Sequence, residues 1–244
     1  MNLQKRDCPI EIKITPCGAG WNDISWFVFG EMTEPILLTA SNIGKNMSDF
    51  ARALYYLCPN QFEEGRAFDI IETVDYAYDI DTKCYGKIYR IGESKPQGTY
   101  TEEFPIKAEF FWDEEPGGSN WIITRKPPAE PNKDTEFDVH VFIGIDRYRV
   151  GPIYKGHDYE NIYDFDLKYS DLCYAAGKAL TQTMKSSGLQ GYWRSTSDII
   201  DVIHLLFLKS VALGCNDACE LEFHDDYSVK SRFSNEMELL LFDM

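Results

Sequence analysis

The sequence is poor in positive charge. Its 244 residues contain 24 lysines and arginines against 40 aspartates and glutamates, which gives a formal net charge of −16. Such a chain repels nucleic acid, because nucleic-acid binding depends on neutralising phosphates with lysine and arginine. The same field disfavours an anionic membrane surface and favours fast association with a basic protein. Solubility alone also produces acidic chains, so the net charge does not by itself define a partner.

Long apolar runs and a disulfide framework are missing too. No run approaches the ~18 uncharged apolar residues that span a bilayer, and the amino-terminal MNLQKRDCPIEIKI lacks the apolar core of a signal peptide. The seven cysteines are odd in number and irregularly spaced, unlike those of a disulfide-stabilised secreted protein. These absences predict a cytoplasmic protein with reduced thiols.

The patterns of common catalytic and metal sites are absent as well. Cys215 and Cys219 form the only close cysteine pair, and neither a second pair nor a histidine follows at zinc-binding spacing. His204 stands in an apolar run, as a packed histidine does. The sequence has no nucleophile elbow and no phosphate-binding loop. We therefore expect no enzymatic activity, no cofactor and no metal site.

The sequence contains instead an α+β pattern, with mostly antiparallel sheets and two or three packed helices. IEIKI alternates apolar and charged residues, and ISWFVFGE and PILLTAS are rich in β-branched or apolar residues, so three strands are predicted near the amino terminus. FFWDEEPGGSNWIITR predicts a hairpin with Pro116 and Gly117 at the central turn positions. FDVHVFIGI alternates again and predicts a further strand.

The helix signals follow. SDFARALYYLCPN predicts a helix capped by Ser48 or Asp49. Residues 164–188 predict a long helix that ends at Gly188. STSDIIDVIHLLFLKSVALG has a Ser/Asp cap and ends at Gly214, but its β-branched run leaves helix and strand open. CELEFHDDYSVKSRF and EMELLLFDM predict strands. One domain over 1–244 is expected, with a possible internal loop boundary at 127–134.

The main functional signal is a set of carboxylates interleaved with tyrosines. HDYENIYDFDLKYSD holds five carboxylates against the single Lys168. Unpaired charge at this density is too costly to bury, so the segment is expected to be exposed. Aromatic residues are enriched at interface hot spots, and carboxylates around them complement a basic partner. We predict a partner-binding surface formed by Asp158, Tyr159, Glu160, Asp164 and Asp166. Residues 69–81 have the same character, but there a strand with buried tyrosines is equally compatible.

Glu114 and Glu115 are neighbours at the tip of the predicted hairpin. On a strand, adjacent side chains point to opposite faces, so these two carboxylates would not converge on one substrate. A turn that adds to the partner-binding surface is therefore favoured over a catalytic acidic pair.

Several segments together resemble a known class of protein. They are PILLTASNIGKNMSDFARALYYL, FFWDEEPGGSNWIITR and GLQGYWRSTSDIIDVIHLLFL, and the similarity covers about half of the chain. This order resembles bacterial immunity proteins that accompany polymorphic or contact-dependent toxins. The resemblance implies a non-enzymatic protein that binds a cognate toxin tightly, often over its active site. Such toxins are often basic nucleases, and no catalytic residue is carried over from the family.

Two other functions are compatible with the sequence. His157 and Asp158, with neighbouring carboxylates, could serve a metal-dependent hydrolase. The second alternative is an acidic nucleic-acid mimic that blocks a DNA-binding protein. In all cases we expect no direct nucleic-acid or membrane partner, and the sequence leaves the oligomeric state open.

Overall fold

The computed structural model describes residues 3–19, 21–41, 46–57, 74–76, 86–89, 107–114, 117–126, 137–146, 159–196, 199–215, 222–223, 229–230 and 233–244. Over these residues the fold is α+β, with antiparallel sheets and five helices. The predicted fold class is confirmed, and the helices outnumber the two or three expected. The predicted boundary at 127–134 lies outside the described residues.

The strands form three antiparallel sheets within the described residues. The first sheet has the order β1 (Ile10–Gly18), β2 (Trp21–Val28), β3 (Ile36–Ala40). The second has six strands in chain order, namely β4 (Val74–Tyr76), β5 (Gly86–Tyr89), β6 (Lys107–Asp113), β7 (Gly118–Arg125), β8 (Asp138–Asp146) and β9 (Asn161–Lys168). The third is the short pair β10 (Glu222–Phe223) and β11 (Val229–Lys230).

The helices are α1 (Asn46–Leu57), α2 (Tyr169–Ser187), α3 (Leu189–Thr196), α4 (Val202–Leu213) and α5 (Phe233–Leu241). The predicted ends at Gly188 and Gly214 are confirmed, and both glycines have positive φ, 68° and 64°, which favours glycine over other residues. Residues 202–213, for which the sequence left helix and strand open, form a helix. Asp201 caps it by accepting a hydrogen bond from the Ile203 N–H at 2.8 Å.

Three predictions are wrong in part. Residues 164–168 belong to β9 and not to a helix, because NIYDFDLK alternates exposed and buried side chains with the period of a strand. Most of EMELLLFDM is helical, and α5 buries Leu239 against Leu206. The helix α1 begins at Asn46, so Asp49 lies in its first turn and pairs with Arg52 at 2.8 Å.

An aromatic cluster joins the two larger sheets and α1. Trp26 of β2 and Trp121 of β7 have ring centroids 5.1 Å apart, and Phe50 of α1 lies 6.0 Å from each of them. Trp112 of β6 lies 4.5 Å from Trp121. All four rings are almost fully buried. Aromatic residues bury the most apolar area per side chain, so this cluster is the centre of the core.

The amino-terminal segment is tied to α2 and α4. The Arg6 guanidinium pairs with Asp171 and donates to the backbone carbonyl oxygens of Ser170 at 2.8 Å and Ala212 at 3.2 Å. The planar guanidinium presents several donors at once, which suits it to bridge two helices. The contacts of Arg6 with Ser170 and Asp171 fix the start of α2, which directly follows β9.

A buried lysine holds the end of the chain. Lys209 of α4 is fully buried, and its Nζ donates to the carbonyl oxygens of Leu240 at 2.9 Å and Phe242 at 2.7 Å. These are orphan carbonyls at the carboxyl end of α5, where a cation is favourable. Burial lowers the pKa of the Lys209 amine to about 8.

Two further features bear on the sequence predictions. Among the described residues, no helix combines the length and apolar composition that crossing a bilayer requires. Cys8, Cys17, Cys173 and Cys215, the cysteines in the described part of the chain, form no disulfide with one another.

We expect Trp26→Ala to lower the free energy of unfolding by about 3–5 kcal/mol, because it opens a cavity between the two sheets. Trp193→Ala is the matched control, since Trp193 of α3 is 47% exposed; its expected loss is about 1 kcal/mol or less. Urea denaturation monitored by circular dichroism measures both. Equal losses would mean that Trp26 is not central to the core.

We expect the Lys209 amine to make stability rise with pH in alkaline solution. Its pKa is about 8 in the folded chain against 10.5 for an ordinary lysine, so between these values the unfolded chain binds the extra proton. Stability therefore increases over this range, by on the order of 3 kcal/mol in total. Unfolding of the wild type and of Lys209→Met is compared at pH 7.5 and 10. From pH 7.5 to 10 the free energy of unfolding of the wild type should rise relative to that of the variant. The same pH dependence in both proteins would contradict the lowered pKa of Lys209.

Candidate partner-binding surface

The predicted acidic segment forms β9, the last strand of the six-stranded sheet. Among the described strands, β9 pairs only with β8. Phe165 and Leu167 turn inward and are buried, whereas Asp164 and Asp166 point outward with side chains 56% and 54% exposed. Ile162 lies on the same outer face and is 57% exposed. The strand period thus separates an apolar inner row from an acidic outer row.

A histidine lies between the two outward carboxylates. His140 of β8 is paired in register with Asp166, and its Nδ1 lies 2.9 Å from Asp166 Oδ1. Its Nε2 lies 3.0 Å from Asp164 Oδ1. Lys126, directly after β7, also pairs with Asp166. The carboxylates are therefore exposed but already engaged with basic groups of the chain itself.

This network changes the titration of one carboxyl group. Hydrogen bonds from Lys126 and then from His140 hold the pKa of Asp166 below its ordinary value. Asp166 consequently keeps its negative charge into moderately acidic solution. The pairs are solvent-exposed, so their contribution to stability is small, ~0–1 kcal/mol each.

Tyr159 is fixed against the outer face of the sheet. Its ring covers Gly144 of β8 so closely that a Cβ at position 144 would lie 2.3 Å from a ring carbon. The ring meets Phe142 edge to face at 5.5 Å, and Asn120 of β7 donates a hydrogen bond to its hydroxyl at 3.3 Å. Tyr159 is half-buried in this position. A fixed, partly exposed tyrosine loses little entropy on binding a partner.

Glu160 and Glu114 lie at one end of the sheet. The Glu160 N–H donates to the Ile145 carbonyl oxygen at 2.9 Å, just before β9. The Glu114 N–H donates to the Gly117 carbonyl oxygen at 2.9 Å and closes the β6–β7 turn. Glu114 directly follows β6 and Glu160 directly precedes β9, so β7 and β8 lie between them and the two backbones are about three strand spacings apart, ~14 Å. Glu160 is exposed and Glu114 half-buried.

The predicted surface is therefore brought together only in part. Glu160, Asp164 and Asp166 lie in or next to β9, and the Tyr159 ring lies on the outer face over the neighbouring strand β8, whereas Glu114 lies three strands away at the same end of the sheet. Asp158 and Glu115 lie outside the described residues, as does His157. Two members of the same acidic segment turn away from it: Tyr163 packs against the core, and Asp171 is buried beside Arg6.

Sequence reasoning missed the residues that β7 and β8 contribute, namely Asn120, Lys126, His140, Phe142 and Gly144. The alternation of FDVHVFIGI does place His140 and Phe142 on the polar face of a strand. The alternation does not predict the register between β8 and β9, which places His140 next to Asp164 and Asp166.

A separate group of exposed apolar residues lies on α3, just before α4 and at the start of α4. These residues are Leu189, Trp193, Ile199, Val202 and Ile203, with 38–69% of each exposed. Ile199, Val202 and Ile203 stand in the apolar run IIDVIHLLFL, where sequence alone does not distinguish exposed from buried apolar residues. They belong to different elements from the acidic surface.

Metal ligation has no support among the described residues, where no group of three or more His, Cys, Asp or Glu side chains has the geometry of a metal site. His204 packs as predicted, with its ring 4.8 Å from Tyr55 of α1. Burial lowers the pKa of its imidazole, so His204 is neutral near pH 7.

We expect Lys126→Met to raise the pKa of Asp166, because the substitution removes the strongest interaction that favours the carboxylate. Lys168→Met is the control, as it removes an equal charge at the end of β9 from a residue that is not among the groups that lower the pKa of Asp166. Carboxyl ¹³C shifts followed by NMR from pH 2 to 7 give the titration directly. An unchanged Asp166 midpoint in Lys126→Met would contradict the ion pair.

Comparison of the chain with models of known protein families, with curated proteins and with solved structures finds no significant match in any of the three.

Proposed function

We propose that the chain is a non-enzymatic binding protein that neutralises a basic protein, in the manner of an immunity protein and its cognate toxin. The observation that carries the proposal is the outer edge of the large sheet, where exposed Asp164 and Asp166 lie beside exposed Ile162 and half-exposed Tyr159. Acidic groups around fixed apolar and aromatic side chains are the composition expected of a surface that receives a cationic partner.

The two kinds of side chain have different tasks in such a complex. Asp164 and Asp166 are exposed and already paired, so a further ion pair adds only ~0–1 kcal/mol of affinity. Together with the net charge of −16 they attract and orient a basic protein, which accelerates association. Affinity would come from desolvated contacts at the centre of the surface, for which Tyr159 and Ile162 are the available anchors.

A basic nuclease toxin fits this electrostatic arrangement. Enzymes that cleave nucleic acid carry cationic substrate grooves, because they must neutralise phosphates. A negatively charged protein edge laid across such a groove excludes the substrate without any chemistry of its own. The resemblance to immunity proteins supports the same conclusion.

The direct test uses the protein encoded by the neighbouring gene. Its carboxy-terminal domain is produced in bacteria alone and together with this chain, and growth is measured. The proposal expects growth arrest that is relieved by co-production and a stoichiometric complex in size-exclusion chromatography. A basic domain that neither binds the chain nor loses toxicity in its presence would overturn the proposal.

We expect the double charge reversal Asp164→Lys and Asp166→Lys to slow association with that domain by about tenfold at low salt. The salt dependence of the association rate should fall as well. The control is Glu31→Lys with Glu34→Lys, which changes the net charge equally at exposed positions in the β2–β3 connection of the other sheet. Surface plasmon resonance at several salt concentrations measures both. Unchanged rates in the first variant would remove this face from the interface.

A further inference from the structure

The outer edge of β9 offers backbone groups as well as side chains. Among the described strands, β9 has a neighbour on one side only. An edge strand presents a row of unpaired N–H and C=O groups, onto which another extended chain can pair. Ile162, Asp164 and Asp166, whose side chains stand on the outer face beside this row, are all exposed.

The hydrogen bonds of β8 identify which residues of β9 carry the free groups. The Phe137 carbonyl oxygen accepts from the Tyr169 N–H at 2.9 Å, whereas the Asp138 carbonyl oxygen accepts from the Lys126 N–H at 2.8 Å. Odd-numbered residues of β8 therefore direct their backbone towards β9, and even-numbered ones towards β7. Antiparallel pairing alternates strictly, so the odd residues of β9 face β8 and its even residues face outward.

The even residues are the ones whose side chains lie on the exposed face: Ile162, Asp164 and Asp166. An added strand would thus pair with these residues through its backbone. Its side chains on the same face would lie ~5 Å from the two carboxylates. Lysine or arginine at every second position would meet Asp164 and Asp166 in turn.

The same carboxylates disfavour pairing between two copies of this chain. In an antiparallel pair of β9 strands, Asp164 and Asp166 of one copy would oppose acidic residues of the other, and like charges directly opposite are destabilising. The chain also carries a net charge of −16, which repels a second copy. A cationic extended segment is the occupant that the edge accepts.

We propose that the partner binds by adding an extended segment, basic at alternate positions, to the free edge of β9. The inference builds on the proposed function and names the binding mode of the same surface. Backbone hydrogen bonds to Ile162, Asp164 and Asp166 provide affinity, and the two carboxylates select for alternating positive charge.

Amide hydrogen exchange followed by NMR tests the proposal with a defined probe, an eight-residue synthetic peptide that alternates lysine and valine. In the free chain, the amides of Tyr163, Phe165 and Leu167 should be protected, and those of Ile162, Asp164 and Asp166 should exchange quickly. Saturating peptide should protect the second set. A control peptide of equal charge, with every second backbone nitrogen methylated on the pairing edge, should not.

A pair of substitutions separates the backbone from the side chain. Ile162→Pro removes one outward N–H, which an edge strand tolerates, and leaves the charge unchanged. Ile162→Ala shortens the side chain and keeps the N–H. We expect Ile162→Pro to bind the peptide at least about fivefold more weakly than Ile162→Ala, as the loss of one hydrogen bond predicts. Thermal unfolding of both variants verifies that they fold.

The outcomes distinguish this inference from the proposed function. Equal binding of both peptides, with fast exchange at Ile162, Asp164 and Asp166, would overturn strand addition and leave an acidic binding surface. Protection of those amides already in the free chain would overturn it as well, because the edge would then be closed. Failure of the unmethylated peptide to bind would also overturn strand addition, while the growth and association measurements with the toxin domain decide the proposed function separately.

Discussion

The contact between Trp26 and Trp121 determines which face of the large sheet meets solvent. With these rings and Phe50 packed between the sheets and α1, one face of β7 and β8 is committed to the core. The same face of β8 carries Val139, Val141 and Ile143, which are fully buried. A shift of one residue along a strand would turn every side chain to the opposite face, so the buried row fixes the register of the exposed one. The position of the acidic row is thus a consequence of aromatic packing on the other side of the sheet.

The exposed strand is anchored at its carboxyl end. The helix α2 begins at Tyr169, immediately after β9, and the Tyr169 hydroxyl donates to the Leu54 carbonyl oxygen of α1 at 2.5 Å. Two residues later Asp171 pairs with Arg6. An edge strand that continues directly into a buried helix loses little conformational entropy when another chain binds it. The strand is therefore held in place in the free chain, as the proposed strand addition requires.

The sequence was most informative where a local pattern coincided with a buried face. The hairpin of FFWDEEPGGSNWIITR and the strand FDVHVFIGI follow from alternation and turn residues, and both are present as β6, β7 and β8. The prediction of helix at 164–168 is wrong because Leu167 fits the apolar spacing of α2 as well as the alternation of a strand. The alternation of DFDLK was visible, but the choice depends on pairing with β8, a long-range contact that no local propensity contains. For the same reason the acidic segment could be recognised from sequence, whereas its partners His140 and Lys126 could not.

The close approach of Tyr159 to Gly144 has a consequence for the history of the protein. No side chain larger than hydrogen fits at position 144 while the tyrosine ring lies across it. Loss of the ring would release that restriction, and gain of a side chain at position 144 would expel the ring from the sheet. In homologous chains the two positions should accordingly be inherited as a unit, with glycine at one accompanying an aromatic residue at the other.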